Sequence, residues 1–495
     1  MAEVQKKERS EETLQSQEPV QNREMSEEEP NKEAPILVFP EKPAIIIDNV
    51  DNEDAEKINK IQGTSTLEDK KIEVGAERKE KQVFVTGSTG LVGSNLIHEL
   101  TEKGYEIFAL ARAKKGETAE ERVAKALRII NPNFDTSLAD AGIKIFEGDL
   151  LQKNLGLKKE QLEQLKEIES AFNMAADVSF SEEKRKLIMK VNYDGTENLI
   201  DLLYKIGKPH LHHASTAYIF GDLAERPREH SEEVPVFKET DLDVGQKFRN
   251  PYEESKFRAE KLLDSNPNFL KTIYRLGIVI GDSETYQTNA FNAFYGFWRV
   301  FDILKRSLAR EMKNLKKRQY YEEFDIKFEG DILHLPIQIP GEPNCTLNLV
   351  PVDWVVKSIV ALSEHPLIRK KNFTFHITHD KPPIQSEIAK VALQTLGIEK
   401  VEVNPRATMQ FLTQYPLEEA LKSEDPRHRM MAMILQGVSD YIPYIYGEPK
   451  IDTSIRNGIK NSQGNILVPP PPKITNEFMR EALLYALKRG FRPQP

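Results

Sequence analysis

The stretch that most restricts what this chain can fold into reads VFVTGSTGLVGSNLIHEL, from Val83 to Leu100. Four residues, Val83-Phe84-Val85-Thr86, have the character of a buried strand that ends in a turn signal. From Gly93 onward Leu96, Ile97 and Leu100 recur at helical spacing. Between strand and helix stand Gly87, Gly90 and Gly93, three residues apart. A strand, a tight glycine turn and a helix N-terminus form an anion site, because unpaired backbone N–H groups point outward there. In this frame Gly87 allows the turn, Gly90 lets backbone approach a pyrophosphate and Gly93 lets the helix pack on the strand. Thr86, Thr89 and Leu91 flank the glycines and belong to the same expected cofactor-binding segment.

The chain that follows supports this frame. From Lys81 strand and helix patterns alternate, which predicts an α/β Rossmann-type doubly wound parallel sheet. Strands are expected at 82–86, 106–111, 144–147, 170–173, 210–215 and 271–275, with a late strand at 372–377 returning to the same sheet. Residues 81–285 read as the nucleotide-binding domain. Residues 286–495 read as a substrate-binding insert and a smaller, mostly helical C-terminal subdomain, with 347–378 rejoining the sheet. A long helical insert is expected over 286–342. VPPPP at 468–472 reads as a stiff polyproline spacer, and a helix over 476–489 is closed by Gly490. The first eighty residues, rich in Glu, Lys, Gln, Ser and Asn, read as a disordered charged tail. One segment there, PILVFPEKPAIIID, has two apolar runs suited equally to an extended docking arm or to a sticky linker.

Composition narrows the function. The 495 residues carry a formal charge of −9, which argues against a general nucleic-acid binder. The single cysteine, Cys345, excludes an intrachain disulfide. No apolar run approaches the ~20 residues of a membrane span and no signal-peptide core is seen at the start, so a soluble, cytoplasmic protein is expected.

The residues after the second strand bear on the cofactor. An acidic side chain there holds a free ribose 2′-OH, and a basic one accepts a 2′-phosphate. FALARAKKG, from Phe108 to Gly116, has no carboxylate and carries Arg112, Lys114 and Lys115. The expected cofactor is therefore NADPH. Asp149, with Leu150, sits at the tip of the third strand within reach of an adenine amine. Ala175 belongs to the small residues that end the fourth. The chemistry is expected in NPYEESKFRAEKLL, Asn250 to Leu263, where Tyr252 and Lys256 share one helix face. An ammonium beside a phenol favours the phenolate, so Tyr252 should have a lowered pKa and serve as general acid. Upstream, HHASTAYIFG presents Thr216 as a partner for the substrate oxygen, with Ser215 bonded to local backbone. His212 and His213 have no partner spacing that supports zinc.

With these segments in place, the chain from about residue 81 to 302, and again around LNLVPVDWVV and FTFHIT, resembles an extended short-chain dehydrogenase/reductase. It is most similar to the thioester reductase-like branch, which includes reductase domains of carboxylic acid reductases and nonribosomal peptide synthetases and the fatty acyl-CoA reductases. The matching segments are VTGSTGLVGSNL, LARAKKGETAEERV, GDLLQKNLGL, AADVSF, VNYDGTENLIDL, HASTAYIFG, YEESKFRAE and YRLGIVIGDSETYQTN. The resemblance implies catalytic roles for Thr216, Tyr252 and Lys256, cofactor contacts at Gly87, Gly90 and Gly93, and a 2′-phosphate contact at Arg112. It implies hydride transfer to an acyl thioester, giving an aldehyde; whether a second hydride carries this on to an alcohol the sequence leaves open. No adenylation or carrier segment is recognised, so the thioester is expected in trans, on coenzyme A or an acyl carrier protein. Rival functions on this fold are a sugar-nucleotide epimerase or dehydratase, a hydroxysteroid-type dehydrogenase, and a non-catalytic NADPH sensor.

Two further expectations concern the substrate side. Residues 428–447 cluster Met430, Met431, Met433, Ile434 and Leu435 with three tyrosines, an adaptable surface for an acyl chain, with core packing as the plainer alternative. Arg306, Arg310, Lys313 and Lys317 fall on one helical face, opposite Phe301, Leu304, Leu308, Met312 and Leu315. Such a basic stripe would steer an acidic carrier or the phosphates of coenzyme A, with a solvated charged face as the plainer alternative.

Overall fold

A computed structural model describes residues 81–114, 116–134, 136–224, 235–342, 344–404, 411 and 415–493. The charged tail with its PILVFPEKPAIIID segment, and Lys115, lie outside the described residues. The first half follows the expected alternation: β1 (Gln82–Thr86), α1 (Leu91–Glu102), β2 (Glu106–Ala111), α2 (Ala119–Ile130), β3 (Ile143–Glu147), β4 (Ser170–Asn173), α3 (Gly195–Lys205), β5 (His210–Thr216), α4 (Pro251–Asp264) and β6 (Lys271–Leu276). A short β7 (Ile278–Ile280) leads out of this half. Then come α5 (Phe294–Glu311), α6 (Leu315–Glu322), β8 (Lys327–Glu329), β9 (Ile332–Pro340), β10 (Leu349–Pro351), α7 (Val352–Glu364), β11 (Phe373–Ile377), α8 (Gln385–Leu396), β12 (Ile398–Asn404), α9 (Pro426–Val438) and α10 (Asn476–Lys488).

Seven strands form one parallel sheet in the order β11-β6-β5-β4-β1-β2-β3. Its strands are apolar on both faces because helices cover both. Val83 and Val85 pack with α1 and α7, whereas Phe84 packs with α3 on the other side. Strand order reverses between β1 and β4, and a crevice opens at the carboxyl ends of strands at such a switch point. β11 pairs with β6 from Phe373↔Thr272 to Ile377↔Leu276, so the late strand does return to the sheet.

The second half departs from expectation in two respects. The segment 286–342 is not wholly helical. Leu333, Leu335, Ile337 and Ile339 are all buried, an alternation of period two, and β9 pairs with β12 in parallel and with β8 antiparallel. That alternation is strand chemistry, and it packs with α5, α8 and α10 into a separate core. The proline run is also no free spacer. Val468 is fully buried, Trp354 Nε1 donates to the Pro469 carbonyl, and the His379 ring bonds the Pro472 carbonyl. The run straps the end of the chain onto the body. α10 closes as expected: Gly490 has φ +57°, and Phe491 N–H returns to the Ala486 carbonyl.

Candidate active site

The glycine turn is sterically committed. Gly87 has φ +72°, and a Cβ there would lie 2.6 Å from the Ala175 nitrogen and the Met174 carbonyl carbon. A Cβ on Gly93 would stand 2.2 Å from the Gly87 carbonyl oxygen, so α1 can approach β1 only without one. Gly90 is the N-cap of α1, with no side-chain cap, and it lines the main cavity together with Leu91. The helix starts at Leu91, two residues before the apolar periodicity suggests. Thr86 does not face a ligand through its hydroxyl, which donates to Asn173 Oδ1 at 2.7 Å. Thr89 Oγ1 accepts from Arg122 Nη2 at 3.4 Å.

At the ends of β2 and β3, Arg112 and Asp149 form an ion pair at 3.1 Å, and the other Asp149 oxygen accepts the Leu151 N–H at 3.0 Å. The Leu150 side chain is core, packed against Gly195, and its carbonyl accepts from Asn198. Ala175 abuts the glycine turn through its backbone. Arg122, on α2, was missed by sequence reasoning. Its guanidinium donates to the Arg112 carbonyl as well as to Thr89, so it joins the β2 end to the glycine turn. The signal was present in the quoted EERV, but a helical arginine ten residues after Arg112 looks like a solvated face. A glycine cradle that a Cβ would fill, an uncapped helix N-terminus and two guanidinium groups after β2 fit a dinucleotide at this crevice.

Helix α4 carries Tyr252 and Lys256, the candidate reactive pair. It is started by Asn250, whose side chain accepts the Glu253 N–H at 3.1 Å, with Pro251 at the first helical position. Tyr252 and Lys256 line the same cavity as Thr216, from the end of β5. Thr216 hydrogen-bonds the Tyr252 phenol. The expected lowering of the Tyr252 pKa is not found. Burial pushes the phenol up to about 12, and the Thr216 bond offsets this only in part. The physical reason is visible at Lys256, which donates to the Ala214 carbonyl at 2.5 Å and lies 3.4 Å from His213 Nε2. Burial lowers Lys256 to about 8, opposed by Glu260. Ser215 is turned away from the cavity centre toward a carboxylate, not local backbone: it donates to Glu260, which also holds Arg275 in a buried pair at 2.8 Å.

The cavity holds about 690 Å³. It runs from Gly90 and Leu91 past Thr216, Tyr252 and Lys256 and continues among apolar side chains that include Phe297, Trp298, Ile388, Ala389 and Val403. Phe180 also lines it, its ring tilted against two others, 5.7 Å from Tyr252 and 5.2 Å from Tyr444, ring centre to ring centre. The methionines expected to line an acyl pocket do not. Met430, Met431, Ile434 and Leu435 are buried in cores, Met433 is 46% exposed, and from that segment Asp440, Tyr441, Tyr444 and Ile445 reach the cavity. The basic stripe is broken as well. α5 ends at Glu311 and Asn314 caps a new helix, so the four cations do not share a face. Arg306 pairs with Asp302, Lys317 pairs with Glu311, and Leu315 is 66% exposed. His212 bonds the Tyr274 hydroxyl. Among the described residues no group of His, Cys, Asp and Glu could hold a metal, and no helix is long and apolar enough to cross a membrane.

Comparison with known proteins agrees with this geometry. The NAD-binding family model described as male sterility protein matches residues 85–359, more than half of the chain. The fatty acyl-CoA reductase wat of Drosophila melanogaster is 29% identical over 248 residues, covering 44% of this chain and 46% of its own. The L-2-aminoadipate reductase large subunit of Penicillium chrysogenum is 24% identical over 444 residues, 84% of this chain and 28% of its own. The chain thus spans less than half the length of either curated relative. The terminal R domain of the myxalamid PKS-NRPS pathway superposes with a TM-score of 0.59 at 22% identity, covering 85% of this chain and 94% of that domain, which shows a shared fold. The chain belongs to the male sterility protein family of NAD-binding domains, within the thioester reductase-like branch of the extended short-chain dehydrogenase/reductase superfamily.

Proposed function

We propose that this protein reduces an acyl thioester, carried on coenzyme A or on an acyl carrier protein, to an aldehyde with NADPH as reductant. The observation that carries the proposal is the single cavity that joins the glycine turn, the Thr216–Tyr252–Lys256 group and an apolar extension. A sugar nucleotide would need polar partners along that extension, whereas an acyl chain needs only apolar walls. The names of the matched relatives, fatty acyl-CoA reductase and L-2-aminoadipate reductase, point to the same chemistry.

The α1 N-terminus and the glycine turn would hold the pyrophosphate, and Arg112 with Arg122 would meet the 2′-phosphate that marks NADPH. When bound, the cofactor supplies the hydride. The chain's own residues handle charge and protons. Thr216 and Tyr252 offer hydroxyl hydrogens to the thioester oxygen, the type of donor worth about 3–4 kcal/mol in the transition state. Because burial holds the phenol at about 12, Tyr252 is fully protonated at neutral pH and has a proton to give. Phe180, Tyr218 and Tyr444 line the cavity as an aromatic wall that would keep water from an aldehyde-level intermediate.

The test is NADPH oxidation by the purified protein against acyl-CoAs of several lengths, acyl carrier thioesters and nucleotide sugars, with aldehyde and alcohol quantified. Turnover confined to nucleotide sugars would overturn the proposal, and aldehyde accumulation with alcohol only at long times would place the first reduction as the main reaction.

A further inference from the structure

Behind Lys256 lies a chain of buried hydrogen bonds in which each partner dictates the next. The Thr196 hydroxyl donates to the Asn192 carbonyl at 2.7 Å, so its oxygen can only accept from Asn173, whose Nδ2 lies 3.4 Å away. On its other side Asn173 Oδ1 accepts the Thr86 hydroxyl at 2.7 Å. The amide therefore presents its NH₂ group to His213, whose Nδ1 stands 3.1 Å from Nδ2. A ring nitrogen that accepts a hydrogen bond carries no proton, so the neutral imidazole must carry its proton on Nε2. His213 is neutral here, because complete burial and the neighbouring Lys256 hold its pKa well below the ordinary value.

The Nε2–H points at Lys256 Nζ, 3.4 Å away. An ammonium has three hydrogens and no lone pair, so it meets this N–H donor to donor. A neutral amine donates to the Ala214 carbonyl and accepts from His213 with its lone pair, which satisfies every group. Glu260, on the lysine's own helix, favours the ammonium but is itself committed to Arg275 and Ser215, and Tyr252, one turn earlier, lines the same cavity.

We propose that His213, locked in one tautomer by Asn173, is a positioning residue that loosens the proton of Lys256. Resting on the reductase function proposed above, the consequence is a return path for the proton. After Tyr252 has protonated the substrate oxygen, an N–H bond of the Lys256 ammonium breaks and the phenol O–H re-forms. The amine left behind is the form that His213 stabilises, and solvent reprotonates it between turnovers.

The experiment separates this from the choice of substrate. The stability difference between the protein and its Lys256→Met variant is followed by urea unfolding from pH 6.5 to 10.5, with and without His213→Gln. A glutamine can turn its carbonyl toward Lys256 and accept from the ammonium. The pH at which the difference begins to change should therefore move up by about one unit in the His213→Gln background. The basic limb of the kcat profile with NADPH and an acyl-CoA should move up in parallel. An unchanged onset in the unfolding series overturns the assignment, whatever the activity; an absent activity with a shifted onset overturns only the reductase function. Should His213→Gln fail to fold, histidine ¹⁵N NMR of the unmodified protein decides. A bare Nδ1 and a protonated Nε2 on the ring perturbed by Lys256→Met support the proposal, and the opposite tautomer refutes it.

Discussion

Lys256→Met should make the protein inactive and, near neutral pH, more stable. The lysine is 2% exposed, and its burial lowers it from 10.5 to about 8. Holding a proton at that site against such a displacement disfavours the folded state by roughly 3 kcal/mol below pH 8. Methionine removes this term at similar volume, at a cost of about 1–2 kcal/mol for leaving the Ala214 carbonyl and His213 N–H unpartnered. The net gain at pH 6.5 should therefore be on the order of 1–2 kcal/mol. The sign with pH follows from the depressed folded-state value. Between about 8 and 10.5 the unfolded lysine keeps a proton that the folded one has lost, so the parent protein gains stability as pH rises through this window. The advantage of the variant should shrink by about 2 kcal/mol between pH 6.5 and 9.5 and then reverse. Urea unfolding read by the fluorescence of Trp298 and Trp354 measures both ends, with other titrations cancelling in the difference. A variant that is less stable by one constant amount at every pH would refute the reasoning, because Lys256 would then carry no buried charge. A functional lysine that weakens its own fold is the expected trade where a site needs a charge in a desolvated place.

Tyr252→Phe keeps the ring against Phe180 and removes the proton, so kcat should fall by about 10²–10⁴ while the KM for NADPH changes less than about threefold, as steady-state kinetics will show. Arg122→Ala, like Arg112→Ala, should raise the KM for NADPH by about 10- to 100-fold and leave NADH unaffected, since a 2′-phosphate contact is worth about 1.5–3 kcal/mol; equal losses for both cofactors would remove these residues from cofactor choice. Ala389→Phe should shorten the preferred acyl chain in a competition among acyl-CoAs, whereas Met431→Ala, away from the cavity, should lower the urea midpoint by a loss of about 2–4 kcal/mol without changing chain preference.

The seven strands of the main sheet were legible because each parallel strand is a short apolar run between turn signals, and the glycines of the first turn answer to local sterics. Gly93 leaves no room for a Cβ against the Gly87 carbonyl, and Gly87 itself turns at φ +72°, constraints that act within ten residues and so show in the sequence; the Met174 and Ala175 backbone that also crowds Gly87 lies far along the chain. The same holds for Tyr252 and Lys256, which one turn of helix brings to one face. Other properties depended on groups far apart in the chain. Arg122 acquires its place only when α2 folds back on the glycine turn. Ser215 is drawn to Glu260, forty-five residues on. Met430 of α9 turned inward onto the apolar surface of β9 and α5, Met431 joined a separate small cluster with Leu435, and Tyr441 and Tyr444 took the cavity wall. The basic stripe failed because Asn314 satisfies two backbone N–H groups and restarts the helix there. The titration of the reactive pair is the clearest case: sequence spacing placed an ammonium beside a phenol and implied a lowered pKa. Desolvation, which no spacing records, raises the phenol and lowers the lysine instead, because burial disfavours whichever form carries the charge.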